Sequence, residues 1–156
     1  ELTGIILTGG NDIGEFPQKD ATDRALLRHG LATGLPVLGV CRGLQVIADA
    51  FGVAVHPCER AVHVASEHPV ELCDSPLSTL LEATHLAVNS FHAFAPRVDE
   101  TTGSVAPMAV HEEWTEALHV SGTNTWGVMW HPERGRPFRM ADRQIVRHLF
   151  LPPTHQ

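Results

Sequence analysis

The chain has 156 residues, of which 18 are acidic and 11 basic, so its formal net charge is −7 at pH 7. This charge, without any run of Lys or Arg, argues against a nucleic-acid partner. No apolar stretch reaches the roughly 18 residues that a membrane span needs, and the length fits one domain over residues 1–156.

The first half of the sequence alternates predicted strands and helices. An apolar strand over residues 4–7 ends in the turn TGGND, and helical spacing of apolar residues predicts a helix over residues 20–34. A second buried strand over residues 35–40 leads directly into a helix over residues 42–52, which a glycine closes. This alternation predicts parallel strands with helices on both faces of the sheet.

The second half is richer in short strands. They are predicted at residues 68–73, 85–91, 104–110, 116–120 and 126–130, and a last helix over residues 140–150 precedes two prolines. The sequence therefore predicts an α/β fold.

A cysteine stands where the second strand meets its helix, in the pattern GVCRG. An isolated cysteine is most simply a small buried residue. However, Gly39 and Gly43 would allow the tight turn that lifts a nucleophile out of a sheet, and the following helix N-terminus would favour the thiolate of Cys41.

A partner for this cysteine is found in GVMWHPER, where an apolar strand ends in His131 and Glu133 follows two residues later. A histidine could take the thiol proton, and a carboxylate could fix the histidine tautomer. The pair could equally be a strand end and a solvated turn. In LTGGND, Gly9 and Gly10 expose backbone N–H groups that, with the amide of Arg42, could form an oxyanion hole.

The segments ILTGGND, PVLGVCRGLQVIADAFG, VNSFH and GVMWHPER, in this order, resemble the class I glutamine amidotransferases. The resemblance covers nearly the whole chain and is closest to the gamma-glutamyl hydrolase and gamma-glutamyl-GABA hydrolase branch, peptidase C26. It implies a flavodoxin-like three-layer sandwich with a mainly parallel central sheet.

The resemblance also implies roles for particular residues. Cys41 would be the nucleophile, His131 the base and Glu133 its orienting partner, with Gly10 and Arg42 binding the oxyanion. The implied substrate-binding residues are Gly9, Gln45, Asn89, Ser90, Phe91 and His92. Only the backbone of Arg42 is implied in chemistry, and we expect its side chain to pair with an acid such as Glu15.

The implied reaction is hydrolysis of a γ-glutamyl amide through a thioester, with neither a metal nor an organic cofactor and with a small-molecule substrate. Parts of the chain are similar to bacterial enzymes that hydrolyse a γ-glutamyl nucleotide amidate during phosphoramidate modification of surface polysaccharides. Two other interpretations stay open. The chain could be a glutaminase subunit that supplies ammonia to a synthase partner, or a non-enzymatic thiol sensor of similar fold.

The sequence departs from the family pattern in three places. Relatives usually carry about one more strand and helix before the TGG loop, so we expect the domain to be N-terminally incomplete, and an exposed sheet edge would allow a homodimer. Ala93 stands where relatives often have a second histidine. Glu113 and Trp114 replace the usual Asp-Gly turn.

The spacing of the cysteines and histidines fits neither a disulfide framework nor the usual zinc patterns. Three cysteines without regular spacing favour a reducing, cytoplasmic location. The segment HPCERAVHVASEH contains His56, Cys58, His63 and His68, but its spacings match none of the usual zinc patterns. We therefore expect these residues to be ordinary loop or strand residues and expect no metal.

Overall fold

The computed structural model describes residues 2–99 and 103–151. The helices of these residues are α1 (Pro17–Thr33), α2 (Arg42–Ala50), α3 (Arg60–His63), α4 (Pro76–Leu81) and α5 (Met140–Phe150), with a 3₁₀ turn at Pro132–Arg134. The strands are β1 (Ile5–Leu7), β2 (Val37–Val40), β3 (Val55–Pro57), β4 (Val64–Leu72), β5 (His85–Phe91), β6 (Phe94–Pro96), β7 (Val105–His111), β8 (Trp114–Val120) and β9 (Thr125–Val128).

The central sheet has the order β1-β2-β9-β8-β7-β4-β5. Only the pairs β1–β2 and β2–β9 are parallel, and the pairs from β9 to β5 are antiparallel. The expectation of a mainly parallel sheet was therefore wrong for the second half. Short turns join β7 to β8 and β8 to β9, and a short turn can connect only antiparallel neighbours.

Helices cover both faces of the parallel strands, as the α/β prediction required. On one face, Gly30 of α1 lies against Val37, and Gly43 of α2 lies against the backbone of Leu7. On the other face, the ring of His148 in α5 lies 4.9 Å from that of Trp126, and α4 packs against α5. The main core lies between these layers and includes most of α2.

Several element boundaries differ from the predicted ones. Helix α1 begins at Pro17, because a proline is accommodated in the first turn, and it ends before Gly34 in the left-handed conformation. The side chain of Asp20, predicted to start this helix, accepts instead from the backbone N–H of Gly14 at 2.9 Å. Sequence reasoning missed α3, α4 and the small antiparallel sheet of β3 and β6, although Ser75 forms a capping box with Ser78 before α4.

None of the helices in the described residues is both long enough and apolar enough to cross a membrane.

Candidate active site

Cys41 occupies a sharp turn between β2 and α2. Its backbone has φ 50° and ψ −103°, a conformation that a non-glycine residue rarely adopts, and its N–H donates to the carbonyl oxygen of Val128 at 2.7 Å. The flanking glycines act differently from our expectation. A Cβ on Gly39 would lie 2.6 Å from the Gly43 carbonyl, and one on Gly43 would lie 2.2 Å from the Leu7 oxygen. The glycines therefore permit close packing of α2 on the sheet, and Cys41 itself carries the strained turn.

The thiol of Cys41 is buried, with 5% of the residue exposed. Burial raises its pKa to about 12, and the charge of Asp12 acts in the same direction, whereas a hydrogen bond from the backbone of Arg42 opposes them. The helix N-terminus does favour the thiolate through the Arg42 N–H, as expected, but desolvation outweighs it. At neutral pH the resting group is a thiol that needs a base.

His131 follows β9, and contacts fix both its imidazole and its backbone. Its Nδ1 lies 2.6 Å from Oε1 of Glu133, so an Nδ1–H donates to the carboxylate and Nε2 stays available. The Asn89 amide binds the His131 backbone twice, accepting from its N–H at 2.8 Å and donating to its carbonyl at 3.0 Å. The imidazole is buried, whereas 58% of the Glu133 side chain is exposed. The histidine is therefore fixed in tautomer and orientation.

Gly9 lies between His131 and Cys41. A Cβ at this glycine would lie 2.8 Å from Cε1 of His131 and 3.8 Å from the Cβ of Cys41. The TGG turn after β1 thus brings its backbone against both side chains, and any larger residue at position 9 would displace the imidazole. The three sequence motifs meet at the carboxyl ends of parallel strands, where α/β sheets place their ligands.

The candidate oxyanion residues Gly10 and Arg42 are neighbours, since a Cβ on Gly10 would lie 3.6 Å from Cδ of Arg42. The Arg42 side chain is buried and pairs with the carboxylates of Asp20 and Asp23. Arg42 therefore pairs with acidic residues, as expected, but they are Asp20 and Asp23 and not Glu15. The carboxylate of Glu15 instead accepts from Asn11 at 2.9 Å, because the first turns of α1 bring the two aspartates closer to the elbow.

Gln45 is fully buried and connects loops around the elbow. Its Nε2 donates to Asp12 at 3.2 Å and to the Phe94 carbonyl at 3.3 Å, and its Oε1 accepts from the Ile13 N–H at 3.4 Å. In this structure the amide thus positions the loop after the TGG turn, at the rim of the site.

The segment from Asn89 to His92 splits between two faces, because alternate side chains of a strand point in opposite directions. Asn89 binds the His131 backbone, and the Phe91 ring lies 5.8 Å from the His131 ring. Ser90 is buried and donates to the His63 carbonyl, and His92 contacts Glu116. Only the side chains of Asn89 and Phe91 therefore approach the candidate catalytic histidine.

A second group of titratable residues converges away from the candidate catalytic residues. His63, His68, His92 and Glu116, called the histidine cluster below, are all buried and place one ligand atom each within 4.8 Å of one another. Burial acts to raise the pKa of Glu116, but the neighbouring imidazoles of His63, His92 and His68 lower it to about 2. The prediction that His63 and His68 are ordinary loop or strand residues missed this convergence. His56 and Cys58 do not belong to the group, although the Cys58 sulfur lies 3.6 Å from Nδ1 of His92.

A cavity of about 580 Å³ lies beside this site, on the face of the sheet that carries α5. Its walls include Ile6, Leu38 and Val146, and it reaches Gly9 and Glu133 but not Cys41. It is therefore an apolar cleft behind the TGG turn, distinct from the space around the thiol.

Residues 1–133 match the family model described as Peptidase C26, a range that contains all three motifs. The chain belongs to the peptidase C26 family of class I glutamine amidotransferase-like proteins. It is 28% identical over 140 residues to the gamma-glutamyl-CDP-amidate hydrolase of Campylobacter jejuni, with 85% of this chain and 63% of that protein covered. It is 32% identical over 134 residues to a glutamine-hydrolyzing GMP synthase subunit of Methanoregula boonei, with 85% and 66% covered.

The crystal structure of a glutamine amidotransferase from Thermotoga maritima superimposes with a TM-score of 0.72 at 17% identity, covering 94% of this chain and 61% of that one. This likeness confirms the flavodoxin-like fold of the class I glutamine amidotransferases. The chain spans about half to two thirds of the length of the curated relatives it matches.

Proposed function

We propose that this peptidase C26 chain hydrolyses a γ-glutamyl C–N amide bond, with Cys41 as nucleophile, His131 as general base and Glu133 as the carboxylate that orients the base. The main support is the 2.6 Å contact between His131 and Glu133, with the imidazole packed against the same glycine as Cys41. This arrangement leaves Nε2 as the histidine atom that can exchange a proton with the thiol.

The reaction would proceed in two acyl-transfer steps. Nε2 of His131 takes the thiol proton as the sulfur of Cys41 attacks the γ-carbonyl carbon, and the carbonyl oxygen becomes an oxyanion that the backbone N–H groups of Gly10 and Arg42 bind. The C–N bond then breaks, and His131 gives its proton to the leaving nitrogen. Water attacks the resulting thioester, releases glutamate and restores the thiol.

The raised pKa of Cys41 favours this reaction over a redox sensor. An oxidation sensor needs an exposed thiol of low pKa, whereas Cys41 is buried and its pKa is raised to about 12. A buried thiol can still act as a nucleophile when an adjacent base removes its proton during the attack.

The glutamyl end of the substrate would bind between the TGG turn and the strand that carries Asn89. Gly9, Gln45 and Phe91 border this space, and the zwitterionic α-carbon needs both donors and acceptors. The side chains of Ser90 and His92 point elsewhere, so these residues would contribute through their backbone. Named relatives favour two leaving groups, an amidate as in the Campylobacter enzyme and a hydroxyisopropyl amine as in a Pseudomonas hydrolase.

A second candidate is a glutaminase that works within a synthase complex, because two relatives that are glutamine-hydrolyzing GMP synthase subunits are more than 30% identical to this chain. Such a protein would hydrolyse glutamine when a synthase partner is bound. The same three residues would carry out the chemistry, so the two candidates differ in substrate and partner.

The test is glutamate release from L-glutamine, γ-glutamyl-GABA, a γ-glutamyl anilide and a γ-glutamyl phosphoramidate. Wild type is compared with Cys41→Ala and with Cys73→Ala, a matched change at a free cysteine outside the site. We expect release that falls more than about 10³-fold in Cys41→Ala and is retained in Cys73→Ala. If the folded protein releases glutamate from none of the four, the free-hydrolase proposal fails. If Cys41→Ala retains activity, the nucleophile assignment fails.

A further inference from the structure

The histidine cluster contains several buried polar atoms whose hydrogen bonding is incomplete. Among the described residues, Nδ1 of His63, Nε2 of His68 and Oε2 of Glu116 are buried and have no hydrogen-bond partner. A buried polar atom without a partner costs free energy, so folded proteins rarely collect three in one place. The two histidine nitrogens lie close to the carboxylate of Glu116, to which the third atom belongs.

The distances from Glu116 to the three histidines are close to those between the ligands of a small divalent cation. Oε1 of Glu116 lies 3.1 Å from Nε2 of His92, 3.4 Å from Nδ1 of His63 and 3.6 Å from Nε2 of His68. Bonds of about 2.0–2.1 Å at tetrahedral angles place the ligand atoms of zinc about 3.3–3.4 Å apart. All four ligand atoms lie within 4.8 Å of one another, so side-chain shifts of about 1–1.5 Å would bring them around one ion.

The outer hydrogen bond of His68 leaves a lone pair pointing into the histidine cluster. Nδ1 of His68 lies 3.3 Å from the Pro69 carbonyl, which can only accept, so the Nδ1–H donates there and Nε2 carries the lone pair. This lone pair then faces a carboxylate oxygen, an arrangement of two acceptors that a cation between them would stabilise. A second ring nitrogen held by a backbone carbonyl is the usual support for a histidine that binds metal.

We propose that His63, His68, His92 and Glu116 bind one zinc-like divalent cation in a tetrahedral, structural site. Imidazole nitrogens with one carboxylate suit zinc, and four protein ligands leave no open position for chemistry. The ion would connect His63 and His68, from the adjacent elements α3 and β4, to His92 just after β5 and to Glu116 on β8.

This site would also stabilise the strand that holds the candidate catalytic histidine. His92 lies in the same segment as Asn89, whose amide binds the His131 backbone, and the Glu116 carbonyl accepts from the Met129 N–H at 2.7 Å. The proposed ion is therefore a positioning element. Metal binding does not depend on the proposed amide hydrolysis and is tested without a substrate.

The test begins with protein freed of metal by a chelator and titrated with Zn²⁺, with stoichiometry measured by elemental analysis and affinity by calorimetry. We expect one equivalent per chain and a higher Tm in the loaded protein. Failure of the wild type to bind Zn²⁺ would overturn the proposal.

Three variants locate the ion. Glu116→Gln keeps the size of the side chain but removes its charge, and we expect affinity to fall at least about 100-fold. His85→Ala is the matched control, because His85 is an exposed histidine on β5, the strand that leads to His92, and we expect unchanged binding. Cys41→Ala must also retain the ion, since a thiolate and His131 could otherwise bind it. Loss of binding in Cys41→Ala, or normal binding in Glu116→Gln, would overturn the assignment.

Cobalt substitution decides the result even if Glu116→Gln fails to fold. Wild-type protein loaded with Co²⁺ should show the intense visible bands of a four-coordinate ion without a thiolate charge-transfer band. A thiolate band would place the metal on a cysteine, and the weak spectrum of a six-coordinate ion would indicate surface binding, so either result would overturn the proposal.

Discussion

Two regions of the molecule bring glutamate and histidine together, and they differ in exposure and in the number of partners. At the candidate active site, Glu133 is largely exposed and contacts the one imidazole of His131, two residues away. In the histidine cluster, Glu116 is fully buried and faces three imidazoles that are 24 or more residues away in the sequence. The surroundings of a glutamate, more than the presence of a histidine nearby, therefore decide whether it can orient one imidazole or collect several around a cation.

Because a buried charge without a partner is costly, we expect the largest loss of stability when the buried Arg42 is replaced. Arg42→Met would leave the carboxylates of Asp20 and Asp23 buried without their main partner, so we expect the free energy of unfolding to fall by about 3–5 kcal/mol. Arg24→Met is the matched control, because Arg24 pairs with Asp49 at the surface, where such a pair contributes about 0–1 kcal/mol. Urea denaturation measures both. Equal losses in the two variants would show that burial does not determine how much these ion pairs contribute to stability.

Glu133 tests the catalytic side of the comparison. In Glu133→Gln the amide can no longer stabilise a protonated His131, so we expect kcat/KM for the best γ-glutamyl substrate to fall about 10²-fold. The loss should be smaller than for a buried orienting carboxylate, because water can reach the exposed side chain. Unfolding free energy should change by less than about 0.5 kcal/mol, as for other exposed residues.

The matched variant is Glu116→Gln, measured in metal-free protein. Here we expect the main loss in stability and not in catalysis. The free energy of unfolding should fall by about 1–3 kcal/mol, because the change breaks a buried charge-assisted network. If Glu133→Gln lowered stability as much as Glu116→Gln, or left kcat/KM unchanged, the proposed role of Glu133 would be wrong.

The sequence predicted the candidate active site better than the histidine cluster for a physical reason. Cys41 with its glycines, and His131 with Glu133, are contiguous motifs placed at strand ends, so local spacing carries their geometry. The residues of the histidine cluster lie on α3 and β4, just after β5 and on β8, and β7 separates β4 from β8 in the sheet. Their convergence depends on antiparallel pairing that the sequence analysis did not predict.

Local patterns also failed where tertiary contacts outweighed them. The predicted start of α1 at residue 20 followed capping preferences, but Asp20 binds Arg42 and the Gly14 N–H, and the helix begins earlier at Pro17. The helix N-terminus beside Cys41 predicted a thiolate, but burial of the sulfur outweighs it. In both places the deciding contact comes from another segment of the chain.

The smallest predicted effect concerns the ionisation of Cys41, and it separates a buried nucleophile from an exposed sensor. An unfolded thiol ionises near pH 9.0, whereas burial raises the pKa of Cys41 in the folded protein to about 12. Between these values the unfolded state loses a proton that the folded state keeps, so stability falls as pH rises above 9. From pH 8 to pH 10 this group should cost about 1.4 kcal/mol, and Cys41→Ser should lose that much less than wild type under reducing conditions.

Urea denaturation at the two pH values measures this difference, and the contributions of the other titrating groups cancel between wild type and Cys41→Ser. A serine hydroxyl does not ionise in this range, so the variant keeps the size of the side chain without its titration. Equal pH dependence would mean that the pKa of Cys41 is not raised. A steeper loss in Cys41→Ser would mean that the folded protein stabilises the thiolate, which would favour the sensor over the hydrolase, because a stable anion needs no histidine to form it.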